Sequence, residues 1–277
     1  MGVPGACWRS AAASGIDIVI EQRWPAVIVS LESVGELSAL STWILAIALG
    51  ALAGLVRGVT GFGAAMVMSP PLALLLGPSV AVPLVLILEG FAAAPMLPGL
   101  RRQARWPMLI PILMAATVSL PLGVYLLTHL DREMTRRMIA LFVIGFSVML
   151  LAGLRWRGAQ RLRTSLGLGA LSGVMVGTSG IGAPPVILYL LAGSDRPATV
   201  RATMTFYVAL ISIVALTVFL IQGLITEKVL ILALAMTPLF MVGVTFGGRI
   251  FARLSEERFR RLTIWLMLAV SAMILIA

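Results

Sequence analysis

Beyond residue 40 the chain is a succession of long apolar stretches separated by short polar ones. The first stretch, 42–76, is interrupted at Arg57-Gly58-Val59-Thr60-Gly61-Phe62-Gly63, and plain stretches follow at 80–98, 107–128 and 134–154. After a basic loop, a second interrupted stretch covers 166–192, broken at Gly177-Thr178-Ser179-Gly180-Ile181-Gly182. Plain stretches then follow at 202–222, 229–250 and 262–277. Most of the plain stretches reach the roughly 20 residues that a bilayer core requires. Their apolar positions are continuous and do not alternate at period two, which excludes a transmembrane β-barrel. The pattern predicts an all-α, polytopic membrane protein.

The order interrupted, plain, plain, plain occurs twice, which points to internal repetition. At an offset of 119, Gly54, Gly58, Gly61, Gly63 and Ala64 fall on Gly173, Gly177, Gly180, Gly182 and Ala183. At an offset of 124, Gly123 falls on Gly247, Glu133 on Glu257, and Arg136-Arg137 on Arg260-Arg261. Apolar matches between membrane segments are cheap, but matching glycine spacing is not. The chain therefore reads as an N-terminal tail (1–37), a first membrane repeat (38–154), a basic cytoplasmic linker (155–165) and a second membrane repeat (166–277). Residues 1–37 lack the positive n-region and apolar h-region of a signal peptide. Two readings of them stand side by side: a tail or interfacial segment, or a working chain that starts near Val34 or Leu37.

Composition agrees with the pattern. Hydrophobic residues make up 60% and charged ones 12% of 277 residues, with a mean hydropathy of +1.06. Soluble domains carry about 25% charged residues, so a soluble fold is excluded. The net charge of +10 would suggest nucleic acid in a soluble protein. Here the arginines sit in short loops, where the positive-inside rule accounts for them and no nucleic-acid partner is expected. One cysteine (Cys7) and one histidine (His129) leave no disulfide framework, and no metal site, cofactor or catalytic triad is expected.

Loop charges discriminate between topologies. If both halves point the same way, Arg101, Arg102, Arg105, Arg155, Arg157, Arg161, Arg163 and Lys228 face the cytoplasm, eight positives against ten on the other side. If each interrupted unit enters and returns, or crosses twice, the halves are inverted and the count becomes fourteen inside against four outside. The bias over short loops favours inversion. The pieces 42–56 and 62–76 are each 15 residues, about 22 Å of helix and short of the roughly 30 Å hydrocarbon core. Such pieces suit a helical hairpin with its tip inside the membrane.

The two glycine-rich breaks carry the candidate chemistry. A helix starting after such a break aims unpaired N–H groups and partial positive charge at the tip. Two tips related by an in-plane pseudo-twofold would converge on a site for a small anion. Candidate anion-binding residues are Arg57, Gly58, Thr60, Gly61, Gly63, Thr178, Ser179, Gly180, Gly182 and Arg201. The competing reading is that the glycines let helices approach closely, that Arg57 caps helix carbonyls, and that Arg201 snorkels to headgroups. Glu89 is the one acid deep in a predicted span, and such charges are costly. Its candidate roles are carrying a coupling proton, pairing with Arg57, or marking a segment nearer the interface. Pro184-Pro185 suits the first turn of a helix, whereas Pro70-Pro71 suits a kink. Phe62, Phe206 and Tyr207 are either cavity wall or ordinary packing.

The segments 54–63 (Gly-Leu-Val-Arg-Gly-Val-Thr-Gly-Phe-Gly) and 177–185 (Gly-Thr-Ser-Gly-Ile-Gly-Ala-Pro-Pro) resemble the duplicated signature of the sulfite exporter TauE/SafE family, the toluenesulfonate uptake permeases. Gly123-Val124-Tyr125, Arg201-Ala202-Thr203 and Gly247-Gly248-Arg249 look like further members of that pattern. The resemblance spans roughly 38–277. It implies a multi-pass transporter of the bacterial inner membrane moving small, often sulfur-containing anions such as sulfite, sulfoacetate or aryl sulfonates. It also implies about eight spans from a four-span duplication, whereas the loop charges favour inverted halves. Both topologies stay open at this point. Ala64 and Ala183 stand where the family often has a further glycine.

The leading expectation is a secondary transporter whose partners are a small anion and the lipid bilayer, and a homo-oligomer is compatible with it. A passive anion channel is the main alternative. An intramembrane enzyme is disfavoured by the lack of intramembrane histidine, paired aspartates or a serine–lysine pair. An accessory subunit would have no use for irregular backbone deep in the membrane.

Overall fold

The computed structural model describes residues 41–58, 61–151, 161–190 and 195–251. The expectations for 1–37 and 262–277 lie outside them, as do Thr60 and most of the basic linker. Ten α-helices occupy the described residues: α1 (Ser41–Gly58), α2 (Ala64–Leu76), α3 (Pro78–Ala93), α4 (Leu97–Leu100), α5 (Trp106–His129), α6 (Arg132–Leu151), α7 (Leu162–Ser179), α8 (Ala183–Leu190), α9 (Pro197–Ile221) and α10 (Glu227–Phe251). A single 3-10 turn, Ala94–Met96, joins α3 to α4, and no strand occurs among the described residues. Among the described residues, five helices are long and apolar enough to cross a membrane: Ser41–Gly58, Pro78–Leu100, Trp106–His129, Ala198–Ile221 and Glu227–Arg249. The all-helical membrane fold read from the hydropathy pattern is the fold observed.

The helices following the breaks are short. α2 has 13 residues and the described part of α8 has eight, about 20 Å and 12 Å, each less than a bilayer core requires. Pro184 and Pro185 stand in the first turn of α8, where a missing N–H costs nothing. Pro70 and Pro71 fall inside α2.

α8 turns back along α7. Ser172 lies against Gly182, and Tyr189 Oη lies 2.7 Å from Ser165 Oγ. Residues later in α8 thus meet residues earlier in α7, the arrangement of a hairpin. The ends of α2 and α8 sit at opposite ends of α5. Tyr189 shares a surface pocket with Arg105 and Pro107, where α5 begins. Leu76 and Gly77 share another with Leu127 and Leu130, where α5 ends. Arg136 donates from Nε to Ala73 O (3.1 Å) and from Nη2 to Leu74 O (2.7 Å), capping the last carbonyls of α2 with a cation.

Two seams of small residues fix the hairpins in place. Gly54 and Gly58 of α1 meet Phe240, Val244 and Gly247 of α10. Gly169, Gly173 and Gly177 of α7 meet Ile112, Ala116 and Leu120 of α5 in the same sense. Gly54 and Gly58 of α1 thus pack on α10, and Gly173 and Gly177, 119 positions on, pack on α5. A Cβ added at Gly58 would sit 2.2 Å from Val244 O, and one at Gly173 would sit 2.1 Å from Ala116 O. Backbones this close gain dispersion contacts in a solvent that offers no hydrophobic drive between helices. Core side chains line the seams, while Val118, Ile221 and Leu234 point outward, each more than three-quarters exposed, as lipid-facing residues do.

Overpacking of a tight interface costs about 1–3 kcal/mol or more. Gly173→Leu and Gly58→Leu should therefore lower the apparent Tm in detergent and the monodisperse yield sharply. Gly145→Ala and Gly167→Ala, whose new methyl would meet nothing within 4 Å, should leave both unchanged. Equal tolerance at all four positions would contradict the seams.

Candidate anion site between the two helix breaks

The two breaks use one local device. The N–H of Gly61 bonds Arg57 O at 2.7 Å and that of Gly180 bonds Val176 O at 2.9 Å. Both glycines are left-handed, with φ of 78° and 73°, the αL helix ending that glycine adopts without a Cβ penalty. Three residues on, α2 starts at Ala64 and α8 at Ala183; α2 offers first-turn amides, whereas Pro184 and Pro185 leave α8 only those of Ala183 and Val186. Ser69 Oγ, on α2, donates to Ser179 O at 2.6 Å and ties the first unit to the second break.

Around the first break the chemistry is ionic. Arg57, in the last turn of α1, pairs with Glu89 of α3, and their side chains are 1% and 3% exposed. The other carboxylate oxygen, Oε1, accepts the N–H of Ala65 at 2.9 Å. Glu89 thus places a negative charge on the first turn of α2, where the helix dipole favours it. Of the three roles open to Glu89 in the sequence, the internal pair with Arg57 is present. Nε and Nη2 of Arg57 have no hydrogen-bond partner among the described residues. Arg201 stands behind this break, with its side chain against Gly61 and Nη2 on Gly58 O at 3.4 Å.

Around the second break the chemistry is neutral. Ser172 Oγ donates to Gly182 O at 2.5 Å and is hydrogen-bonded to Tyr207 Oη. A serine hydroxyl has one hydrogen, so Tyr207 is the donor to Ser172. Thr178 and Ser179 turn their hydroxyls back onto Val174 O (2.5 Å) and Met175 O (2.7 Å) of their own helix.

Both breaks line one cavity. Gly63 comes from the first, Gly180 and Gly182 from the second, and Glu89, Tyr207 and Ser212 complete its polar wall. Its volume is about 20 Å³, room for about one water molecule. Ser212 Oγ is fully buried and has no partner among the described residues. The structure thus brings Gly63, Gly180, Gly182 and Glu89 together, with Arg57 paired to Glu89. Gly58 and Gly177 lie in the helix seams, and Thr60 lies outside the described residues. Ser212, Ser172 and the Ala65 amide escaped sequence reasoning. A single hydroxyl within an apolar run was the one available signal for Ser212. No group of three His, Cys, Asp or Glu side chains suited to a metal occurs among the described residues.

Removing one member of a buried ion pair leaves the other uncompensated, at a cost of about 3–5 kcal/mol, whereas replacing both with apolar residues is often neutral. Arg57→Met should therefore lower the apparent Tm more than the double variant Arg57→Met/Glu89→Met. A double variant less stable than the single one would contradict the pairing.

No curated protein and no solved structure matches the chain. Residues 46–274, however, match the family model described as sulfite exporter TauE/SafE, a match that takes in both breaks and every helix around the cavity. With two broken helices enclosing a buried polar cavity among apolar spans, the chain belongs to the sulfite exporter TauE/SafE family of membrane transporters.

Proposed function

We propose that this protein is a secondary transporter of the bacterial inner membrane that binds a small sulfur-containing monoanion between its two helix breaks. The observation that carries the reading is the cavity shared by Gly63 and Gly182, with Glu89 and the unpartnered Ser212 hydroxyl in its wall. The N-termini of α2 and α8 direct partial positive charge there, α2 with amide donors and α8, with prolines in its first turn, mainly through its dipole. Arg57, standing behind Glu89 as its ion-pair partner, supplies a full charge. Buried hydroxyls lacking a partner are uncommon and ask for an explanation. A bound oxyanion that accepts from Ser212 provides one.

The reading includes inverted halves. Arg105 Nη1 lies 2.5 Å from Asp195 Oδ2, and the Arg105 amide donates to Thr203 Oγ1 at 2.9 Å. Halves pointing the same way would put those two loops on opposite membrane faces. Inversion puts them on one face, the arginine-rich one. The opposite endings of α2 and α8 along α5 support the same arrangement. Broken helices from inverted repeats meeting at a central site are a recurrent design for alternating access. The closed cavity favours that cycle over an open anion pore, and Glu89 is the group suited to carry a coupling proton. The parts read as repeats remain 38–154 and 166–277, with the linker 155–165 on the cytoplasmic side.

The test is flux in proteoliposomes with sulfite and with alkyl or aryl sulfonates. A transporter accumulates the anion against its gradient when a pH gradient is imposed, whereas a pore only equilibrates it. A hydrogen bond to a charged ligand contributes about 1.5–3 kcal/mol, so Ser212→Ala should raise KM by about tenfold or more. It removes no bond within the protein, so the apparent Tm should hold. Unchanged KM in Ser212→Ala, or no flux of any sulfur anion, would contradict the proposed site.

A further inference from the structure

The groups best placed to hold an anion at the first break are already engaged, by the protein itself. Ala65 N–H and the Arg57 guanidinium both address the Glu89 carboxylate, at 2.9 Å for the amide and by a buried ion pair for the arginine. We infer that Glu89 is a tethered occupant of the substrate site: a substrate monoanion takes its place, and a proton from solution moves onto Glu89 for each anion bound. This rests on the anion-site reading above and adds how the site is kept closed, which charge it selects and how a proton enters the cycle.

Volume gives the first argument. A cavity of about 20 Å³ holds about one water, so a sulfur oxyanion needs a lining side chain to give way, and Glu89 is the one that occupies the anion's own donors. Donor count gives the second. A carboxylate has two oxygens, whereas a sulfonate or hydrogensulfite has three on its sulfur. Nε and Nη2 of Arg57 and the hydroxyl of Ser212 stand buried and unused among the described residues. These spare groups suit a ligand with more acceptors than Glu89 offers.

Charge gives the third. The charged and titratable side chains at this site are Arg57 from α1, Glu89 from α3 and Tyr207 from α9. Arg201 of α9 stands behind the break on Gly58 O. α2 carries no titratable residue, and α5, α6, α7 and α10 carry theirs within two turns of an end. The Tyr189 hydroxyl of α8 is on Ser165. A buried carboxylate that gives up Arg57 to an incoming anion finds no second cation among the described residues that line the cavity. An unpaired buried charge is neutralised rather than tolerated, so the displaced Glu89 takes a proton, forming one O–H bond and no other. The site then holds one positive and one negative charge before and after exchange. It favours monoanions such as sulfonates and hydrogensulfite over dianions such as sulfate.

The experiment is calorimetric titration of the purified full chain in detergent with methanesulfonate, which stays a monoanion from mildly acidic to mildly alkaline pH. The wild-type Kd should rise by about tenfold per pH unit where Glu89 is ionised. About one proton should be taken up per anion, read from the dependence of heat on buffer. Self-occupancy reduces apparent affinity by the fraction of open sites. Glu89→Gln should therefore bind independently of pH and, at alkaline pH, about tenfold or more tighter. Sulfate should bind more weakly than methanesulfonate to the wild type. A pH-independent wild-type Kd without proton uptake would overturn the exchange while leaving the anion site standing, as would loss of binding in a folded Glu89→Gln. Should Glu89→Gln fail to fold, the wild-type pH slope and proton count decide alone. If the folded wild type binds neither methanesulfonate nor sulfite, the anion-site reading fails and the exchange falls with it.

Discussion

One carboxylate organises the centre of this molecule. Glu89 reaches from α3 to the first turn of α2 and to the guanidinium at the end of α1, joining three elements across the first helix break. Placing an ion pair in a low-dielectric interior is expensive, and the Coulomb attraction repays that cost only when further hydrogen bonds satisfy the charges. Here the amide of Ala65 satisfies one carboxylate oxygen, while part of the guanidinium remains unsatisfied. The arrangement is therefore costly to keep, and under the proposed exchange that cost is what a better-fitting anion would relieve.

The surrounding architecture serves to hold that site at depth. Glycine seams let α1 lie directly on α10 and α7 directly on α5, so the breaks are positioned by rigid helix pairs rather than by loops. Irregular backbone survives inside a membrane only where protein buries it or where it lines a cavity, and both conditions hold for Gly63 and Gly182. The two ends of the cavity differ in character. The first break has an ion pair, and the second has a neutral chain from Tyr207 through Ser172 to the Gly182 carbonyl. The difference is written in the sequence: position 53, 119 residues before Ser172, is alanine, and position 88, 119 residues before Tyr207, is leucine.

Much of the fold was legible in the sequence, because lipid imposes long apolar runs and the breaks are written in glycine. The ends of α5 fall within a residue of the apolar run that predicts it, and the αL glycines 61 and 180 stand at matched positions. The site was legible less evenly. Arg57, Glu89, Gly63, Gly180 and Gly182 stood out as charges or breaks in apolar surroundings. The hydroxyls of Thr178 and Ser179 looked like tip donors, but a helix offers its own i−4 carbonyls to such residues, and both take them. Ser212 and the Ala65 amide were not visible, since a single hydroxyl in an apolar run and a backbone N–H gain meaning only from which helices converge on them.

The central claim, that an anion binds between the two breaks in place of Glu89, is tested most directly by anomalous diffraction from crystals of the protein soaked in selenite. Selenite is a heavier counterpart of sulfite. The account predicts an anomalous peak within hydrogen-bond reach of Ala65 N and Ser212 Oγ, with the Glu89 carboxylate withdrawn from α2. A peak elsewhere in the molecule, or one at the cavity with Glu89 still bonded to Ala65, would contradict it.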